Sequence, residues 1–153
     1  MNMDVYFDSG VLVKLYVKEH YSEEVIKLAS AERQIPLSPL HELEIRNALR
    51  AQLGRGIILG EEFEKAVAAF DSDIKANRLK TFSPDWDRIY KEAEVISRTH
   101  TRNLLCRALD ILHVSNALYL SCSRFVTGDK RQARLAKEVK LNVYLLGNES
   151  KRC

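Results

Sequence analysis

Four acidic residues in separate parts of the chain have the types and positions of a metal-binding set: Asp8, Glu44, Asp110 and Asp129. Asp8 and Asp129 directly follow predicted strands, and ligands of α/β folds bind in the crevice at the carboxyl ends of such strands. Carboxylates gathered in one crevice repel each other, and a bound divalent cation relieves that repulsion. An all-oxygen set favours Mg²⁺ or Mn²⁺ over zinc, and these ions commonly serve phosphoryl transfer or phosphodiester hydrolysis.

Each acid also has a structural interpretation. Asp8 and Asp129 could be N-caps of the helices that follow them. Asp110 opens an apolar helix, where the helix dipole favours a carboxylate. Glu44 lies well inside its helix and shares a face with Leu40, Ala48 and Ala51, where a carboxylate loses hydration unless something compensates. The structural interpretation is therefore weakest for Glu44.

The elements that would position these acids alternate along the chain. Short apolar strands are predicted at 3–7, 34–37, 79–82, 125–127 and 143–146. Helices are predicted at 11–17, 21–31, 40–55, 61–76, 86–100, 108–121 and 130–139. Short apolar strands that alternate with helices indicate an α/β fold with a parallel sheet and helices on both of its faces.

Composition narrows the class of protein. The chain has 153 residues, 46% of them hydrophobic, and a formal net charge of +3. Its length predicts a single domain over residues 1–153. No apolar run approaches the length of a membrane span, and the first residues have no basic segment typical of a signal peptide. The three cysteines form no CxxC pair and are too few for a disulfide framework. We therefore expect a cytoplasmic protein that does not associate with a membrane.

Four segments, in order, resemble the motifs of PIN domains, in particular those of the VapC-type toxin ribonucleases. They are residues 8–19, 38–49, 107–113 and 125–132, and residues 140–143 resemble the last strand of that family. The resemblance covers nearly the whole chain and implies a three-layer α/β/α fold with a five-stranded parallel sheet. It also implies a metal-dependent endoribonuclease that uses Mg²⁺ or Mn²⁺, with Asp8, Glu44, Asp110 and Asp129 as its catalytic and metal-binding acids.

The same resemblance assigns further residues. Ser9 and Thr127 match hydroxyl positions near the metal. Glu42 also lies in the second motif, but Glu44 is chosen because it lies four residues after Leu40 and four before Ala48. Glu42 would place the carboxylate nearly half a turn away. The family further implies an antitoxin protein as partner and a homodimer.

Basic and histidine side chains near these motifs are open to two interpretations. Arg107 and Lys130 could hold phosphates of an RNA substrate, whereas a solvated helix face is the alternative for any single basic residue. His113 is predicted to be a structural side chain that is hydrogen-bonded beneath the sheet. A general base is not needed at this position, because metal-bound water can be activated without one.

The leading hypothesis is a metal-dependent endoribonuclease that is the toxin of a toxin–antitoxin pair. A haloacid-dehalogenase-type phosphatase would need a second aspartate two residues after Asp8, where the chain has Gly10. A receiver-like phosphoacceptor would need an acidic pair near the first strand, for which Asp4 and Asp8 are a poor match. A non-catalytic, RNA-binding PIN remnant would usually have lost one of the acids, and all of them are present here.

Overall fold

The computed structural model describes residues 3–148 and contains every predicted strand and helix. The strands are β1 (Val5–Phe7), β2 (Ile35–Leu37), β3 (Leu79–Thr81), β4 (Arg124–Thr127) and β5 (Asn142–Leu145). The helices are α1 (Ser9–Val13), α2 (Ser22–Ser30), α3 (Pro39–Gly54), α4 (Gly60–Lys75), α5 (Trp86–Leu104), α6 (Ala108–Tyr119) and α7 (Lys130–Glu138). Among the helices of residues 3–148, none combines the length and the apolar character that a membrane span requires.

The strands are parallel, but they form two sheets, which corrects the prediction of one five-stranded sheet. One sheet has the order β1-β4-β5, and the other pairs β2 with β3. The centre of β2 is Pro36, which has no N–H to donate to a second neighbouring strand. Proline in a strand is for this reason confined to sheet edges and bulges. The α/β class is confirmed, and the main sheet has three strands.

The chain divides into two compact units. Of the described residues, 3–8 and 83–148 belong to the first unit, and 9–82 belong to the second. The β1-β4-β5 sheet belongs to the first unit, and the β2-β3 sheet belongs to the second. Each unit is described by itself below.

The core of the first unit forms where α6 covers buried residues of β1 and β4. Tyr6 of β1 stacks on Phe125 of β4, with ring centroids 5.5 Å apart and planes 9° from parallel. The Tyr6 hydroxyl lies 2.7 Å from Nδ1 of His113 on α6, and both side chains are buried. The structural role predicted for His113 is thereby confirmed.

The second unit packs α3 and α4 beside the short β2-β3 sheet, with Ile45, Leu49 and Phe70 fully buried. Helix α3 begins with a capping box: the Ser38 hydroxyl accepts the His41 N–H at 3.2 Å, and the Ser38 N–H is donated to His41 Nδ1 at 3.0 Å. These bonds satisfy N–H groups that a helix start otherwise leaves unpaired.

Candidate active site

Asp129 caps a helix and faces a cation at the same time. Its Oδ1 accepts the backbone N–H groups of Arg131 at 2.7 Å and Gln132 at 3.1 Å, which makes Asp129 the N-cap of α7. Its Oδ2 accepts a hydrogen bond from Nη2 of Arg107 at 3.2 Å. The two interpretations of Asp129 in the sequence are therefore compatible, because each concerns a different oxygen of the carboxylate.

Asp110 meets the same arginine. It lies in the first turn of α6, where the helix dipole favours a negative charge. Its Oδ2 accepts a hydrogen bond from Nε of Arg107 at 3.0 Å. The bond to Asp110 and the charges of Asp110 and Asp129 raise the pKa of the Arg107 guanidinium above its usual value. One guanidinium thus bridges two of the predicted acids.

Asp8 is tied to these residues through the buried hydroxyl of Thr127. The Asp8 N–H is donated to Val126 O at 3.1 Å, directly after the β1–β4 ladder. Thr127 Oγ1 lies 2.5 Å from Asp8 Oδ2 and 2.8 Å from Gln132 Oε1, and it accepts the Asp129 N–H at 3.0 Å. Asp8 and Thr127 are buried. The Thr127 side chain consequently connects the carboxylate after β1 with the backbone of the residue that caps α7.

Gln132 completes this network within the first unit. Its side chain is buried, and its Nε2 donates a hydrogen bond to the backbone oxygen of Asp110 at 3.4 Å. Close polar contacts therefore run from Asp8 through Thr127 and Gln132 to α6, and the single Thr127 hydroxyl hydrogen is donated either to Asp8 Oδ2 or to Gln132 Oε1. The structure brings Asp110 and Asp129 onto one cation and links Asp8 to both through side chains of the same unit.

Ser9 and Glu44 belong to the second unit, where they contact each other. The Ser9 hydroxyl donates a hydrogen bond to Glu44 Oε1 at 3.0 Å, and Glu44 is half-buried. The fully buried stripe of α3 runs through His41, Ile45 and Leu49. Glu44 consequently lies beside the buried stripe of α3, whereas its spacing in the sequence predicted a position on the apolar stripe. Glu42 is also half-buried and lies 4.0 Å from Arg46 in an i,i+4 ion pair.

Comparison with known proteins identifies the family of this fold. A family model described as a PIN domain matches residues 5–138. The chain belongs to the PIN-domain family. The match includes all four predicted acids and confirms the resemblance found in the sequence motifs.

Two of the solved structures with a fold similar to this chain come from toxin–antitoxin proteins. FitAcB from Neisseria gonorrhoeae is 18% identical with a TM-score of 0.65, and the alignment covers 92% of this chain and 96% of that chain. VapBC2 from Rickettsia felis, bound to a DNA fragment from its promoter, is 16% identical with a TM-score of 0.64. The alignment covers 94% of this chain and 98% of that chain. At such identities the similarity shows the fold alone. No curated protein matches the chain.

The donor atoms of this PIN domain suit a hard divalent ion, because they are carboxylate and hydroxyl oxygens. PIN nucleases usually use divalent metal ions. The Oδ2 atoms of Asp110 and Asp129 already converge on a cationic group, the Arg107 guanidinium. Within residues 3–148, no group of three or more His, Cys, Asp or Glu side chains is close enough to hold a metal ion. The two Oδ2 atoms already face one positive charge, and the complete ligand set stays a prediction.

Sequence reasoning missed Gln132, although a signal for it exists. Asp129 and Gln132 have the three-residue spacing of a capping box, in which the second side chain normally reaches back to the N-cap N–H. Here the Thr127 hydroxyl accepts that N–H, and Gln132 Oε1 lies 2.8 Å from the same hydroxyl instead. Lys130 is exposed at the first position of α7, and its role in binding RNA stays a prediction.

Proposed function

We propose that this PIN protein is a metal-dependent endoribonuclease, the toxin of a VapBC-type toxin–antitoxin pair, which hydrolyses RNA phosphodiester bonds. The observation that carries the proposal is the convergence of Asp110 and Asp129 on one cation, with Asp8 linked to the same network through Thr127. Membership of the PIN family supports it, because PIN domains are generally nucleases. The similarity to VapBC and FitAB proteins supports the assignment as a toxin.

The ligands in this proposal are the carboxylates of Asp8, Glu44, Asp110 and Asp129, around Mg²⁺ or Mn²⁺. Glu44 is included because of the sequence motif. In its own unit it accepts a hydrogen bond from Ser9, the residue that follows Asp8 in the chain. When bound, the ion supplies an activated water nucleophile and neutralises charge on the phosphate.

The side chains around the acids orient them for this role. The α7 N–H groups hold Oδ1 of Asp129, so that its Oδ2 faces away from the helix. The Thr127 hydroxyl fixes one oxygen of Asp8. Arg107 and Lys130 are exposed cations that can bind the phosphates of an RNA strand without reading its sequence.

We further propose an antitoxin partner, a homodimer and action on RNA in the cytoplasm. Large apolar side chains are exposed on and directly after α5 and on α6, namely Tyr90, Val95, Leu105 and Leu109, and their burial against a partner would favour association. Because the family match runs through both compact units, we also propose that residues 1–153 form one PIN domain. Light scattering of the pure protein at high concentration tests the dimer, and a monomer would contradict it.

Cleavage of labelled RNA tests the activity itself. We expect cleavage with Mg²⁺ or Mn²⁺, none in excess EDTA, and none by Asp8→Asn or Asp110→Asn. Asp87→Asn is the matched control, since Asp87 is an exposed acid in the first turn of α5. Cleavage that continues unchanged in excess EDTA would overturn the proposal. RNA binding without cleavage would instead indicate a non-catalytic PIN remnant.

Thermal melts test the metal site without relying on activity. Because a ligand that binds only the folded state stabilises it, Mg²⁺ should raise the Tm of the wild type more than that of Asp110→Asn. The Asp87→Asn control should respond like the wild type. Equal Mg²⁺ shifts in all three proteins, together with retained cleavage by Asp110→Asn, would show that the site has been misassigned.

A further inference from the structure

One arginine of the first unit bridges an oxygen of Asp110 and an oxygen of Asp129. Arg107 Nε lies 3.0 Å from Asp110 Oδ2, and its Nη2 lies 3.2 Å from Asp129 Oδ2. The remaining Asp129 oxygen accepts two N–H groups of α7. A metal ion that used the Oδ2 atoms of Asp110 and Asp129 would therefore have to displace the guanidinium.

The Arg107 side chain is free to rotate away from the two carboxylates. Its side chain is 68% exposed, whereas those of Asp110 and Asp129 are 16% and 35% exposed. Its backbone is fixed at the N-cap of α6, where its carbonyl oxygen accepts the Ile111 N–H at 3.1 Å, and its side chain makes no capping bond. Rotation of the side chain alone would release the carboxylates, because the helix start keeps its backbone bond.

We propose that Arg107 is an exchangeable cation: it neutralises Asp110 and Asp129 until a divalent ion binds, and then turns its guanidinium to a phosphate of the RNA strand. This inference rests on the proposed function for its second half. A cation on the two Oδ2 atoms removes the need for the arginine and repels it. The displaced guanidinium remains within one side-chain length of the acids, and its planar fork suits phosphate oxygens.

The first half predicts competition between the arginine and the metal. In calorimetric titrations with Mn²⁺ and without RNA, Arg107→Gln should bind Mn²⁺ about fivefold more tightly than the wild type, since one exposed ion-pair network no longer has to be broken. Arg107→Lys keeps a positive charge and should lie closer to the wild type. Arg102→Gln is the matched control, because Arg102 is an exposed cation in the last turn of α5, and its Mn²⁺ affinity should equal that of the wild type.

The second half predicts a loss of RNA affinity in the same variant. At saturating Mg²⁺, Arg107→Gln should raise KM for RNA about tenfold with a small change in kcat, because a phosphate contact made before and during the reaction contributes uniform binding. A role limited to stabilising the fold would not tighten Mn²⁺ binding while weakening RNA binding.

The Mn²⁺ titration and the KM measurement together separate failure of the inference from failure of the proposed function. Mn²⁺ affinity that is unchanged or weaker in Arg107→Gln, or no Mn²⁺ binding by either protein, would overturn the exchange. An unchanged KM would overturn the move to RNA phosphate. Tighter Mn²⁺ binding by Arg107→Gln in a protein that cleaves no RNA would support the exchange and refute the ribonuclease.

Discussion

Replacing Thr127 with valine tests whether one buried hydroxyl organises the site. Thr127 Oγ1 lies within 3.0 Å of Asp8 Oδ2, Gln132 Oε1 and Asp129 N. A hydroxyl has one hydrogen and accepts through its lone pairs, so it donates to one of the two oxygens and accepts the Asp129 N–H. Valine has nearly the same shape and removes both kinds of bond.

The expected loss follows from the groups that lose this partner. Leaving a buried donor or acceptor unsatisfied costs about 1–3 kcal/mol, and valine affects at least one donor and one acceptor. We expect the free energy of unfolding to fall by roughly 3 kcal/mol on that scale. Thr127→Ser is the control, because it keeps the hydroxyl and loses one methyl group at a cost of about 1 kcal/mol.

Urea unfolding followed by tryptophan fluorescence measures both variants. The single tryptophan, Trp86, belongs to the same unit as Thr127. With an m-value of about 2 kcal/mol/M, the midpoint should fall by about 1.5 M for valine and about 0.5 M for serine. A valine variant as stable as the wild type, or more stable than the serine variant, would refute this account of the network.

Three further predictions concern single side chains. Asp129→Ala should lower the free energy of unfolding by about 1 kcal/mol through loss of the α7 cap, whereas Asp129→Asn should keep most of the stability that the cap contributes. Chemical denaturation of both variants measures these losses, and equal losses in the two variants would contradict the prediction. Burial and a hydrogen bond to Asp73 raise the pKa of Tyr16. An alkaline absorbance titration should therefore show one of the six tyrosines ionising at a higher pH than the others, and this phase should be missing in Tyr16→Phe. Because this pKa is raised on folding, the stability that the group contributes is lost as the pH rises above about 10. Burial raises the pKa of the Cys122 thiol to about 12. In a Cys106→Ser/Cys153→Ser variant this thiol should therefore react with a disulfide reagent only after the protein unfolds. Fast labelling of the folded protein would contradict this prediction.

Periodicity predicted the elements of this fold but not which strands pair. Apolar runs and helical spacing depend on local sequence, so the strands and helices lie close to their predicted positions. Strand pairing depends on which backbone N–H and C=O groups meet, and the apolar pattern of a short strand does not determine that choice. Pro36 in the middle of β2 was the available signal, since it marks an edge strand.

The candidate site divides in the same way between local and tertiary features. The positions of Asp8, Asp110 and Asp129 next to element ends could be predicted, because each follows a strand or opens a helix. The arginine bridge could not, because Arg107 and Asp129 are 22 residues apart. The buried role of His41 in a capping box was missed as well, since the usual box has Glu or Gln at that position.

Asp129 shows why a structural role and a catalytic role need not exclude each other. In the sequence the two were alternatives, since a carboxylate after a strand is a common helix cap. In the structure, Oδ1 holds the start of α7 and Oδ2 faces the cation. The cap itself fixes the orientation of the carboxylate, so the stability of α7 and the position of the proposed ligand depend on the same residue. Asparagine preserves the first oxygen's bonds and removes the charge, which makes Asp129→Asn the substitution that separates loss of catalysis from loss of the fold.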